Sequence, residues 1–188
     1  VSFNAMGHEA INYVASKGFK IFLDLKLHDI PNTVKKSIEG LISLPLSMLT
    51  IHTSGGLEMM RAAKQALQSS DIKLFGVTAL TSLSDEDTNI IFKRSASRQV
   101  QAMLDLAEAA GIDGVVCSPL ELELVTQRKS LESITPGIRI LKSNDDQTRV
   151  MTPKEAIKKG ANHIVIGRPI TNASNISKAL KEIHNSLE

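Results

Sequence analysis

"IFLDLKLHDIPNT" occupies Ile21 to Thr33. Apolar residues alternate with charged ones through most of it, the period-2 pattern of a β-strand. On an unbroken strand Asp24, Lys26 and His28 share one side, and Leu23, Leu25 and Leu27 the other. Parallel α/β folds cover both sheet faces, so an acid and a base on one face must be paired or solvated. The C-terminal end of a strand meets both needs, and α/β active sites collect there. Asp29 and the turn residues Pro31 and Asn32 put the charged cluster at such an end. A solvated edge strand, or a structural ion pair at a barrel mouth, explains the same spacing, because D-x-K-x-x-D alone is a weak motif.

Working outward, β-rich runs alternate with amphipathic stretches along the whole chain. A helix is expected at about Gly7 to Lys17, then a strand at Lys20 to Leu25 and a helix from about Thr33 to Leu44. Strand Ser47 to His52 leads into helix "GLEMMRAAKQALQ", and strand Lys73 to Leu80 into a longer polar segment. Helix Ser97 to Ala110, strand "GVVC", helix Pro119 to Gln127 and strand Glu132 to Thr135 follow. Helix Pro153 to Lys159, strand "HIVIG" and a closing helix to Leu187 complete the pattern. Strand-helix alternation of this kind implies a parallel sheet, since parallel neighbours need crossover connections. Six strands fit an open doubly wound sheet, and equally a (β/α)8 barrel represented by its last six units. No linker or composition shift divides residues 1–188, so a single domain is expected.

Composition narrows the class. The 188 residues are 42% hydrophobic and 22% charged, ordinary globular proportions. A formal net charge of +2, from 22 basic and 20 acidic residues, argues against nucleic acid as a partner. The single cysteine, Cys117, excludes an internal disulfide, fits a reducing cytosol, and reads as core filler in "DGVVCS". No apolar run approaches the ~20 residues of a membrane helix, and a soluble protein is expected.

Two further stretches carry chemistry. In "IVIGRPIT", Ile164 to Thr171, a strand runs into Gly167 and Arg168, which offer close backbone approach and a guanidinium suited to bidentate phosphate contact. An ordinary strand-to-helix turn with a surface arginine is the simpler reading of that turn. "TPGIRILKSNDDQTRVMTP", Thr135 to Pro153, has a long polar centre without helical period, as a lid would. There Gln147 can bond a phosphate or amide, and Arg139 and Arg149 add positive charge; a solvated surface loop is the alternative. The five histidines form no H-x-x-x-H or H-x-H pair, so no metal cluster is expected. His52, in "HTSGG", reads as a strand-end residue, and Met59 with Met60 as core.

Together these stretches resemble the orotidine 5'-phosphate decarboxylase family, of the bacterial type. The matching segments are "FLDLKLHDIPNTV", "IHTSGG", "GVTALTSL", "AGIDGVVCS", "TPGIR", "DQTRVMTP" and "VIGRPIT", in family order. "DLKLHDIPNT" is highly specific, whereas the glycine-arginine turn is shared by many phosphate-binding barrels. The resemblance implies a (β/α)8 TIM barrel, cytoplasmic, used as a homodimer, converting orotidine 5'-phosphate to UMP and carbon dioxide without metal or organic cofactor. It implies that Lys26 protonates C6, that Asp24 is the carboxylate beside it, and that Asp29 and Thr33 reach the partner's site. Leu25, Leu27, His28, Ile30, Pro31 and Asn32 belong to the same substrate-binding stretch. Thr81 and Ser82 fall where the family contacts the pyrimidine, and Arg139, Gln147, Gly167 and Arg168 where it binds mainly the phosphate end.

The family pattern also has an aspartate on the first strand and a lysine on the second, with no counterpart here. A barrel cannot close without two adjacent strands, so residues upstream of Val1 are expected to carry both. Asp146 stands where relatives commonly have glycine and is expected to stiffen the loop. Two rival readings remain: a magnesium-dependent sugar-phosphate decarboxylase or synthase sharing D-x-K-x-x-D, and a non-catalytic phosphate-ligand barrel.

Overall fold

Pro31 starts the helix that follows the charged strand. It sits at the first helical position after Ile30, where its missing N–H costs no hydrogen bond, and α2 runs Pro31–Glu39 to a Gly40 cap. This start lies two residues earlier than the apolar period suggests, because proline at that position is pre-set for a helix. Val34 and Ile38, four apart, are buried on one face. That face packs against α3 (Gly56–Ala66), which buries Met59, Met60, Ala63 and Ala66. Both methionines are core, as expected, and each such side chain contributes roughly 1.5–3 kcal/mol through burial.

The computed structural model describes residues 3, 6–80, 83–139 and 151–187. The chain divides into two compact units, Val1–Val77 with Asp105–Gly114, and Thr78–Leu104 with Val115–Glu188. In the first, α1 (His8–Ser16) precedes β1 (Phe22–Leu27), β2 (Met48–His52) and β3 (Lys73–Val77). β1 and β2 are parallel, and β2 and β3 are parallel in continuous register from Met48↔Lys73 to His52↔Val77. Leu49, Ile51, Leu74 and Phe75 on these strands are fully buried. Asp113 ties the start of β3 in place: its carboxylate accepts the Leu74 N–H at 2.8 Å and the Lys64 ammonium at 2.6 and 2.7 Å.

The second unit holds most of β4 (Gly114–Val116), then α6 (Leu122–Thr126), β5 (Glu132–Thr135), α7 (Pro153–Lys158), β6 (His163–Ile164), α8 (Arg168–Thr171) and α9 (Ile176–Asn185). β5 and β6 are parallel, Ile134↔His163 and Thr135↔Ile164, and the Cys117 N–H, just past β4, donates to the Ile134 carbonyl. Cys117 is buried, which agrees with its reading as core filler. The polar stretch after β3 contains a helix the periodicity did not mark, α4 (Asp85–Phe92). Ser84 caps it in a capping box with Asp87, so hydrogen bonding at its start, not an apolar stripe, defines it. Helix α5 spans Ala96–Ala110. Among the described residues, six strands with intervening helices agree with the expected α/β class.

Candidate active site

β1 does not keep the simple alternation its sequence suggests. Its register against β2 is Phe22↔Met48 and Leu23↔Leu49, but then Leu27↔Ile51, so four residues of β1 pass while β2 advances two. Lys26 lies within this irregularity at φ 53°, in the left-handed region that a lysine rarely adopts. Asp24 and Lys26 therefore meet within an irregular stretch of β1 and not on an unbroken pleat. Bulges of this kind often re-aim side chains beside active sites.

The two side chains form an ion pair between Lys26 Nζ and Asp24 Oδ2, each side chain about two-fifths exposed. Thr50, in the middle of β2 and fully buried, completes the group. Its Oγ1 accepts the Lys26 backbone N–H at 2.9 Å and donates to Asp24 Oδ1 at 2.9 Å. Sequence reasoning overlooked Thr50, although a signal was present. "MLTIH" is an apolar run interrupted by one hydroxyl, two positions before His52 and on the same side of the strand, and a buried polar side chain requires partners.

Beside the ion pair, the His28 and His52 rings lie 5.3 Å apart between centroids, and His28 Nε2 is 3.4 Å from Ser54 Oγ. Burial, and then the charges of His28 and Lys26, hold the His52 imidazole below its ordinary pKa of 6.5 against the opposing pull of Asp24. His52 thus stands at a strand end as expected, within reach of the charged group. Asp29, Ile30, Pro31, Asn32 and Thr33 are exposed at the start of α2, and Asp29 Oδ1 accepts the Ile30 N–H. Leu25 and Leu27 are half-buried in β1.

In the second unit, Gly167 precedes α8 and its carbonyl accepts the Ile170 and Thr171 N–H groups. The space where a Cβ would stand on Gly167 is open, so a ligand can approach its backbone. Arg168 follows at the first helical position. The Arg139 side chain is buried, its Nη1 donating to the Ile138 carbonyl at 3.0 Å, and its backbone N–H donates to Met151. Thr81, Ser82, Asp146, Gln147 and Arg149 lie outside the described residues. Among the described residues, no group of three or more His, Cys, Asp or Glu side chains is placed to hold a metal ion, and no helix is long and apolar enough to cross a membrane.

The arrangement supplies a cation held and oriented at a strand end, which is what stabilising a developing carbanion requires. Comparisons with known proteins point the same way. A protein of Wolbachia pipientis subsp. Culex pipiens named orotidine 5'-phosphate decarboxylase is 47% identical over 188 residues, 98% of this chain and 83% of that one. Its namesake in Saccharophagus degradans is 45% identical over 189 residues, 96% and 79% of the two chains. The crystal structure of orotidine 5'-phosphate decarboxylase from Lactobacillus acidophilus matches with a TM-score of 0.83 at 37% identity, over 97% of this chain and 81% of that one. A family model described as orotidine 5'-phosphate decarboxylase / HUMPS matches residues 2–183, and the chain belongs to that family.

Proposed function

We propose that this protein decarboxylates orotidine 5'-phosphate to UMP and carbon dioxide, a carboxy-lyase step of de novo pyrimidine biosynthesis. The observation that carries the reading is the Lys26 ammonium held against Asp24 at the end of β1, in a chain of the decarboxylase family. In the proposed reaction the bond from C6 to the carboxylate carbon breaks, carbon dioxide leaves, and the electron pair remains on C6. That carbanion has no ring system to delocalise it, so a fixed ammonium lowers the barrier by electrostatic stabilisation. Lys26 Nζ then gives its proton to C6, forming UMP, and is reprotonated from water. Asp24 keeps the ammonium charged and aimed.

Gly167 and Arg168 are assigned to the substrate phosphate, with Arg139 and Gln147, while Thr81 and Ser82 are assigned to the pyrimidine. Open space over Gly167 supports the phosphate assignment. Leu25, Leu27, His28, Ile30, Pro31 and Asn32 are assigned to substrate binding along the same stretch. The exposure of Asp29 and Thr33 is consistent with their reaching a second subunit's site in a homodimer. A single (β/α)8 barrel domain and a cytoplasmic location complete the proposal. The chain spans 83% of the length of the Wolbachia protein.

The test is carbon dioxide release from orotidine 5'-phosphate by the intact protein, with and without EDTA. Equal, rapid release in both supports the reading. Release abolished by EDTA and restored by magnesium favours the sugar-phosphate type of chemistry. UMP binding with no release favours a non-catalytic barrel.

A further inference from the structure

The hydroxyl of Thr50 has one proton and two lone pairs, and the geometry leaves little freedom in how they are used. A backbone N–H can act only as a donor, so toward Lys26 the hydroxyl must accept. Its own proton is then directed to Asp24 Oδ1, while Oδ2 of the same carboxylate meets Lys26 Nζ. The contacts close a ring: Lys26 backbone to Thr50, Thr50 to Asp24, Asp24 to the Lys26 ammonium.

Each contact answers a local need. The left-handed backbone at Lys26 and the register shift take its N–H out of the regular strand ladder, and Thr50 provides the acceptor that the ladder does not. Asp24 and Lys26 are partly exposed, so an unanchored pair would sample several rotamers in water. Thr50 is buried on a strand whose pairing with β3, Thr50↔Phe75 included, is unbroken, so it is the rigid member.

We propose that Thr50 is a positioning residue for the decarboxylation, its hydroxyl locking the Asp24 carboxylate and the Lys26 backbone into one arrangement so that the ammonium meets C6 already oriented. This inference rests on the decarboxylase reading above. Orientation of a group that acts in the transition state affects kcat more than substrate binding.

Thr50→Val keeps the β-branched shape and removes the hydroxyl, and Thr50→Ser keeps the hydroxyl. In the intact protein, Thr50→Val is expected to lose about 10- to 100-fold in kcat, the effect of deleting a hydrogen bond to a charged group. KM for orotidine 5'-phosphate and the Kd of UMP should stay within about threefold, and Thr50→Ser should recover most of the rate. Unchanged kcat in Thr50→Val overturns the inference, as does a Thr50→Ser variant that falls as far as Thr50→Val. If Thr50→Val does not fold, Thr50→Cys, a weak donor of similar size, replaces it under the same two criteria. A wild-type protein that releases no carbon dioxide defeats the decarboxylase reading itself, whereas an active wild type beside an unimpaired Thr50→Val defeats this inference alone.

Discussion

Lys26 Nζ is ion-paired with Asp24 Oδ2, two residues upstream on the same strand, and the Thr50 hydroxyl bonds both residues, accepting the Lys26 backbone N–H and donating to Asp24 Oδ1. Removing the ammonium leaves nothing in the proposed scheme to stabilise or protonate C6. Lys26→Ala is therefore expected to abolish turnover of orotidine 5'-phosphate while keeping UMP affinity within a few-fold, measured by carbon dioxide release and calorimetric titration. Near-normal decarboxylation by this variant would sink the assignment.

Lys26 also makes an unusual stability prediction. Glycine inside a strand normally destabilises relative to alanine, but φ 53° is costly for any side chain and free for glycine. Lys26→Gly should be more stable than Lys26→Ala by about 1 kcal/mol, with both lacking the ammonium. Urea unfolding of the two variants checks the sign, and a more stable alanine variant would show that the left-handed backbone is not retained.

His52 links the site to pH. Burial, followed by the neighbouring charges of His28 and Lys26, depresses its pKa, so the unfolded chain takes up a proton more readily than the native one. Its stabilising contribution is thus complete above the ordinary value of 6.5 and is lost as pH falls through the depressed native value. Unfolding midpoints of the wild type and His52→Asn, compared between pH 7.5 and pH 5 (about one unit or more either side of that ordinary value), should show a steeper decline in the wild type. Parallel curves would remove His52 as the cause.

Cys117 should be chemically silent. Burial, with the Glu121 carboxylate adding to it, pushes its thiol pKa up to about 12. A thiol-reactive dye at pH 8 should label it only after denaturant is added, because the thiolate is the reactive form. Prompt labelling of the native protein would contradict the buried placement.

Much of the α/β pattern was legible, because six short β-rich runs separated by amphipathic helices leave few alternatives to a parallel sheet. Met59, Met60 and Cys117 were readable as core for the same reason: apolar residues in periodic context. Three features escaped for physical reasons. β1 ends at Leu27, not Leu25, and carries a bulge, because period 2 reports which residues are apolar and is blind to a local register shift. Helix α4 is specified by the Ser84–Asp87 cap and has a weak apolar stripe. Thr50 matters through partners 24 and 26 residues away, a relation that composition and local spacing do not encode.

Those separations have a bearing on how the site comes into being. The ring of contacts joining Lys26, Thr50 and Asp24 is closed within one strand-helix-strand unit, β1 through β2, by pairs at most 26 residues apart. Loop closure over so short a span costs little entropy compared with pairings across a whole domain. The ring is therefore local in the chain: the pairing of β1 with β2 alone brings its three members within reach of one another.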